Sequence, residues 1–284
     1  MIWKFPFDIK KIKNVLILTE GGQGIGYGHI TRNIGLIHYL KEFGLDINFF
    51  VRGKNLKEIF FEGENFISVD WLSEIENIKI YDNCLVFIDS YFAGLEIYRI
   101  IFNKTKTLVI YDDYKRLDYE AGYILNPVAD ENFYSNKLSV LSGEEFIFLR
   151  KAFWNATIKK RDGRVKNILI TLGGNPEKKI LFSVASEVKQ RFSDVNIRVV
   201  SDFIDGVGVE FTGFCDSMKM VELMNWADVA ISAGGQTLHE LYRMNVPTFM
   251  LKTAENQEYN IRFYEKRGFK RLKNIEIIFN YELL

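Results

Sequence analysis

At 284 residues the chain has room for one large α/β domain or for two of moderate size. Apolar residues make up 48% of it, enough for packed cores and unlike a disordered composition. Lysine plus arginine and aspartate plus glutamate balance at 37 each, which argues against nucleic acid as the main partner, because tracking a phosphate backbone requires a basic excess.

The opening Met1–Phe7 stretch has only a few apolar residues before Asp8 and Lys10, too short for a secretory segment. The longest apolar runs, such as Leu85–Ile88 and Leu108–Tyr111, are strand-sized, whereas a spanning helix needs about twenty residues. No stable membrane insertion is expected, and the expected location is cytoplasmic. Cys84 and Cys215 lie in different halves and read as reduced core residues.

In chain order, Asn14–Thr19 is a continuous apolar run typical of a parallel strand covered on both faces. A glycine-rich turn leads into a helix from Ile30 to Phe43, with Ile30, Ile34, Ile37 and Leu40 on one stripe and Gly44 as its C-cap. Strands follow at Asp46–Val51, Cys84–Asp89, Lys106–Asp112 and Gly122–Leu125, with a helix over Leu95–Phe102. The charged stretch Lys159–Lys166 reads as a solvated connection. After it the pattern restarts with a strand at Asn167–Thr171 and a helix ending at Arg191. Strands at Asn196–Val200, Asp228–Ser232 and Thr248–Leu251 then alternate with helices at Ser217–Trp226, Thr237–Met244 and Gln257–Lys266. This alternation predicts an α/β fold of two doubly wound, Rossmann-like domains, residues 1–158 and 159–284.

Ligands of open α/β sheets bind at the carboxyl ends of the strands, where helix N-termini present free N–H groups. The loop Gly21–Arg32 carries five glycines but has neither the dinucleotide Gly-x-Gly-x-x-Gly spacing nor a P-loop Gly-Lys-Ser/Thr. Its distinguishing feature is His29 at the mouth of the helix, with Gly28 before it and Arg32 one turn on. A helix N-terminus favours neutral imidazole, which can take a proton from water or a hydroxyl. His38, among polar neighbours, reads as a solvated residue, and His239 as mid-helix near a second candidate site.

In the second half, Leu172-Gly173-Gly174-Asn175 and Ser232-Ala233-Gly234-Gly235-Gln236-Thr237 both end a strand and open a helix. Together they predict a diphosphate cradle of backbone amides with the hydroxyls of Ser232 and Thr237. Glu240, one turn deeper, is placed to accept the hydroxyls of a ribose. Ala254-Glu255-Asn256-Gln257 is polar at the start of the last helix, either a cap or a further binding loop. Asp89-Ser90-Tyr91 and Asp112-Asp113-Tyr114 put acids and phenols at other strand ends. With no accompanying histidine cluster they read as hydrogen-bonding groups for a sugar or for other loops, and no metal is expected.

These motifs occur in an order that resembles the PseG/SpsG family, UDP-2,4-diacetamido-2,4,6-trideoxy-β-L-altropyranose hydrolases of pseudaminic acid biosynthesis. The resemblance runs from about Asn14 to Phe269 through Gly-Tyr-Gly-His-Ile-Thr-Arg (26–32), Asp-Ser-Tyr (89–91), Asp-Asp-Tyr (112–114), Leu-Arg-Lys-Ala-Phe (149–153), Leu-Gly-Gly-Asn (172–175), Ile-Ser-Ala-Gly-Gly-Gln-Thr-Leu-His-Glu-Leu (231–241) and Ala-Glu-Asn-Gln (254–257). The C-terminal motifs are shared with MurG-like glycosyltransferases. The resemblance implies a GT-B fold with an interdomain cleft, a UDP-sugar partner, no cofactor and no metal. It implies that His29 activates a water that attacks the anomeric carbon with inversion. Gly28, Arg32, Asp89, Tyr91 and Asn256 would contact substrate. Gly173, Gly174, Asn175, Ser232, Gly234, Gly235, Thr237 and Gln257 would hold UDP, and Glu240 its ribose.

The sequence departs from the family after the first strand, where Leu18-Thr19-Glu20-Gly21-Gly22-Gln23 replaces a serine-rich loop carrying an arginine and an aspartate. The Met1–Lys13 leader is also extra and is assigned no function. A MurG-like transferase is the alternative, and a nucleotide-sugar binding protein without catalysis is the third reading. Membrane-associated transferases present an apolar, basic-rimmed patch, for which Phe60-Phe61, near Lys54 and Lys57, is the nearest candidate.

Overall fold

The computed structural model describes residues 5–129, 133–134, 138–174, 176–203 and 208–273. The chain divides into two compact units, Met1–Ile25 with His29–Phe148, and Gly26–Gly28 with Leu149–Leu284. The division falls after Phe148 rather than after Ile158. Phe153 accounts for the difference, since it is buried in a core of the second unit with Leu223, Leu238 and Tyr264.

The first unit contains β1 (Asn14–Gly22), α1 (Gly28–Lys41) from His29 onward, β2 (Asp46–Lys54), β3 (Ile67–Ser68), β4 (Cys84–Asp89), α2 (Leu95–Lys104), β5 (Thr107–Tyr111), β6 (Tyr123–Leu125) and β7 (Ser139–Leu141). Its described strands form one parallel sheet in the order β3-β2-β1-β4-β5-β6-β7. The order reverses at β1, so its carboxyl end and that of β4 flank a topological switch point. Leu16, Leu18, Val86, Ile88, Leu108 and Ile110 alternate onto one face and pack with Ile97, Tyr98 and Ile101 of α2. Burial of this kind contributes roughly 25 cal/mol per Å² of apolar surface removed from water.

β1 runs past the expected end at Thr19, because Glu20, Gly21 and Gly22 keep register with Arg52, Gly53 and Lys54 of β2. Part of the expected glycine loop is therefore strand. Gly22 has φ +95°, and a Cβ there would lie 2.2 Å from the Lys54 carbonyl oxygen, so only glycine fits this crossing. In the leader, Phe5 stacks on Phe7 at 5.0 Å and meets Phe87 edge-on at 6.3 Å. Phe60 and Phe61 are both buried, the latter stacked on Phe66, so the candidate apolar patch faces inward.

The second unit contains β8 (Asn167–Thr171), α3 (Lys178–Arg191), β9 (Asn196–Val199), β10 (Glu210–Phe211), α4 (Ser217–Trp226), β11 (Val229–Ala233), α5 (Thr237–Arg243), β12 (Thr248–Leu251), α6 (Glu258–Glu265) and β13 (Lys270–Leu272). Its parallel sheet runs β10-β9-β8-β11-β12-β13, again reversing at the first strand. Ile168 and Ile170 pack on one face with Leu181, Val184 and Val188 of α3. Leu169 and Ala230 point to the other, with Leu223, Leu238 and Ile261 of α4, α5 and α6. This period of two, with helices over both faces, explains the uninterrupted apolar runs. The strands that the sequence did not reveal, β3, β7, β10 and β13, are all at sheet edges and two or three residues long, too short to show a period. No helix of the described residues is long and apolar enough to cross a membrane.

Candidate active site

In the first unit the register of β1 with β4 sets Thr19 beside Asp89 at the sheet's carboxyl edge. The first turn of α1 lies over this edge, with exposed Gly28 at its start and buried His29 next. His29 Nδ1 lies 2.5 Å from Asp89 Oδ1, across sixty positions of sequence. Asp89 Oδ2 accepts from Arg32 Nε at 2.6 Å and from Asn33 Nδ2 at 2.7 Å, while Arg32 Nη2 donates to Oδ1. Asp89 is 1% exposed, and its carboxylate is wholly occupied by these donors.

Burial works to raise the Asp89 carboxyl, but Arg32 and His29 outweigh it and hold the group well below the usual carboxylate range. An ionised carboxylate only accepts hydrogen bonds, so the proton of the His29–Asp89 bond resides on Nδ1. Arg32 Nη2, 3.2 Å from that nitrogen, is itself a donor and cannot compete for the role. The lone pair is thereby left on Nε2, which has no hydrogen-bond partner among the described residues. This is the orientation that a carboxylate imposes on a general-base histidine.

The network continues outward. Arg32 Nη1 donates to Asp113 Oδ1 at 2.7 Å, and Arg32 packs over the Tyr111 ring at 4.6 Å. Tyr91 donates its hydroxyl to Asp113 Oδ2 at 2.6 Å and sets its ring edge-on to His29 at 4.3 Å. Glu20, fully buried, accepts from the Tyr91 amide at 2.6 Å and from Ser90 Oγ at 2.8 Å. Burial raises its carboxyl above the usual range, with His29 and the Tyr91 amide opposing.

The structure thus brings together His29, Arg32, Asp89 and Tyr91. It also gives two of them other work than direct substrate contact: Asp89 and Arg32 are engaged with His29 and Asp113. Sequence reasoning did not single out Asn33, named Glu20 only within the loop that departs from the family, and gave Asp113 no partner. The only signal was the Asp112-Asp113 pair at a strand end, which does not say which acid faces Arg32. Asp112 turns away: its Oδ1 accepts from the Arg116 amide at 3.1 Å. His38 stands 3.6 Å from Glu64 on the far part of α1.

In the second unit, Gly173 takes φ +90° after β8 with Gly174 beside it, and Asn175 lies outside the described residues. Ser232, expected to offer its hydroxyl to a phosphate, is fully buried and donates to the Ala233 carbonyl at 3.0 Å, because it lies inside β11 rather than on the turn. The Gly234 amide donates to Gln257 Oε1 at 3.2 Å, and the same oxygen accepts from the Thr253 amide at 2.9 Å. Asn260 Nδ2 donates to the Gly234 carbonyl at 3.0 Å. Gln257 and Asn260 therefore brace the turn, while Gly235 and Thr237 stay half-exposed at its tip. Asn256 is half-buried in the 3-10 turn Glu255–Gln257.

Glu240 has a partner that the sequence did not foretell. It is 3% exposed and paired with equally buried Arg150, whose Nε and Nη2 lie 2.9 and 2.7 Å from Oε1. His239 Nδ1 is 2.6 Å from the Tyr264 hydroxyl, a buried contact within the core.

No family model matches the chain. It is 24% identical over 284 residues to a Helicobacter pylori protein named pseudaminic acid cytidylyltransferase and UDP-2,4-diacetamido-2,4,6-trideoxy-beta-L-altropyranose hydrolase, covering 96% of this chain and 50% of that protein. It is 25% identical over 281 residues to the spore coat polysaccharide biosynthesis protein SpsG of Bacillus subtilis, covering 90% of this chain and 82% of that one. The chain is thus similar in sequence to the PseG and SpsG proteins. It spans about half the length of its Helicobacter relative, so the likeness concerns one part of that protein.

Among solved structures, Acinetobacter baumannii MurG superposes with TM-score 0.60 at 14% identity, over 94% of this chain and 89% of its own. Methanocaldococcus jannaschii UDP-GlcNAc 2-epimerase, in complex with UDP-GlcNAc and UDP, gives TM-score 0.62 at 14% identity, over 94% and 91%. At such identity these likenesses establish the fold, two Rossmann-like domains of GT-B type.

Proposed function

We propose that this PseG/SpsG relative hydrolyses a UDP-linked 2,4-diacetamido sugar, releasing UDP and the free sugar, with His29 as general base. The observation that carries the reading is the 2.5 Å pair of His29 Nδ1 with an Asp89 carboxylate held ionised, which leaves a basic Nε2 at the sheet's carboxyl edge. Nε2 takes a proton from water as the water oxygen bonds to the anomeric carbon. The bond from that carbon to the phosphate oxygen breaks, its electron pair leaves with UDP, and the configuration inverts. The reaction uses no metal and no cofactor.

The first unit supplies the base, with Tyr91 beside it to orient the sugar. The second is the nucleotide-binding unit. Its half-exposed turn Gly235–Thr237, braced by Gln257, receives the diphosphate together with Gly173 and Gly174. Glu240, fixed by Arg150, accepts the ribose hydroxyls, and Asn256 contacts the substrate. The names of the two curated relatives, and the UDP bound to the epimerase of the same fold, support this assignment.

The test is incubation with UDP-2,4-diacetamido-2,4,6-trideoxy sugars in the presence of a chelator, with UDP release followed without any acceptor. Stoichiometric release of UDP and reducing sugar is the expected result. Release that depends wholly on an added sugar or lipid acceptor overturns the hydrolase in favour of a transferase.

A further inference from the structure

Asp113 is a charged member of the His29 cluster that the proposed chemistry leaves without a task. It is 18% exposed, touches Arg32 and Tyr91, and sits two residues beyond the β5 end. Its carboxyl is buried, which works to raise it, yet Arg32 and the Tyr91 hydroxyl keep it below the usual range, so it is ionised. Arg32 is accordingly clamped between two carboxylates, Asp89 and Asp113.

The charges facing His29 within the first unit can be enumerated. On α1 itself stands Arg32, on the β4 end Asp89, and on β1 Glu20, with the Tyr91 ring edge-on from the following loop. Asp113 acts through Arg32, behind which lies the uncharged Tyr111 ring. Glu20 is bonded to Ser90 and the Tyr91 amide and stands outside the hydrogen-bonded chain of the other three, in which, with neutral imidazole, Asp89, Asp113 and Arg32 sum to one negative charge. An imidazolium brings that sum to zero. If Asp113 were neutral, Arg32 alone would cancel Asp89, and the imidazolium formed during reaction would face a guanidinium 3.2 Å away with Glu20 as the one acid of the enumerated set still opposing it.

We infer that Asp113 is a positioning residue that neutralises Arg32, reserving the charge of Asp89 for the imidazolium of His29. The inference rests on the proposal that His29 is the base, but its test does not. The imidazole signals of His29 are followed by NMR against pH in the intact, substrate-free protein, and assigned by their loss in His29→Gln. Asp113→Asn moves the His29 titration to lower pH, as expected for removal of one nearby negative charge at partial burial. Asp113→Glu restores it. Tyr91→Phe, which keeps the Asp113 charge but removes the hydroxyl, leaves it in place.

In turnover, Asp113→Asn shifts the acid limb of the kcat/KM profile in the same direction and lowers the plateau by about three- to tenfold, since a weaker base drives proton transfer less well. If Asp113→Asn fails to fold, Asp113→Ser is a smaller neutral replacement with the same expected result. An unmoved His29 titration in a cooperatively melting neutral variant overturns the inference, as does lost activity with no shift of the acid limb. A shifted titration in a protein whose His29→Gln form keeps full turnover supports the charge arrangement and overturns the hydrolytic role of His29 instead.

Discussion

Replacing Asp89 by asparagine keeps the shape of the side chain and removes its charge. Four donors converge on this carboxylate: His29 Nδ1 at 2.5 Å, Arg32 Nε at 2.6 Å, Asn33 Nδ2 at 2.7 Å, and Arg32 Nη2. An amide presents an acceptor on one side only, so at least two of the four contacts become donor against donor. Hydrogen bonds to charged groups are worth about 1.5–3 kcal/mol each, and Arg32 still keeps Asp113, so the first unit loses about 3 kcal/mol. That corresponds to a fall in Tm on the order of 10 °C.

The consequence for activity is larger. An amide N–H facing Nδ1 turns the imidazole to the other tautomer, the Nε2 lone pair is lost, and kcat falls by a factor on the order of 10²–10⁴. The pH dependence has a definite sign. The folded-state carboxyl lies below its unfolded value, so its stabilisation is present above about pH 4 and is lost as the pH falls. The Tm gap between Asp89→Asn and the parent is therefore full near neutrality and closes under acid. Calorimetry across pH and the UDP-release assay check both halves. A variant with parental kcat and Tm at pH 7 refutes the reasoning.

Other substitutions test separate parts of the structure. His29→Asn lowers kcat by about 10²–10⁴ and leaves UDP binding by calorimetry within twofold. Glu240→Ala takes the carboxylate away from the buried Arg150 guanidinium and costs about 3–5 kcal/mol in urea unfolding of the second unit. Any ribose contact of Glu240 is therefore read from Glu240→Gln, whose UDP affinity drops while stability changes less. Gly22→Ala combines a positive φ with a contact of 2.2 Å to the Lys54 carbonyl and costs about 3 kcal/mol or more, visible as a lowered Tm. Burial pushes the Cys84 thiol up to about 11 and raises Cys215 as well, so neither reacts with a thiolate-selective reagent at pH 8 until the chain is unfolded.

The elements legible beforehand are those whose physics is local. Cys84–Asp89, Asn167–Thr171 and Thr248–Leu251 are unbroken apolar runs, and the structure makes each a strand with those bounds. The Ile30, Ile34, Ile37, Leu40 stripe of α1 is buried, and Gly44 has the positive φ of a C-cap. His29 stood out because a histidine at the mouth of a helix after a glycine loop is an unusual local arrangement.

The identity of each side chain's partner is another matter. Asp89 lies sixty positions from His29, Asp113 eighty-one from Arg32, and Glu240 ninety from Arg150. Each pair meets only because parallel strand order and register bring distant strand ends and loops together. Nothing in the periodicity around Asp89 distinguishes a carboxylate that meets a sugar from one that holds an imidazole, and nothing around Glu240 foretells Arg150. The chain's own pattern of apolar runs and glycine turns determined two Rossmann-like sheets and the edge where chemistry belongs. Tertiary packing decided which charges are paired, because ionic pairing depends on distances of a few ångströms between residues that the sequence keeps far apart.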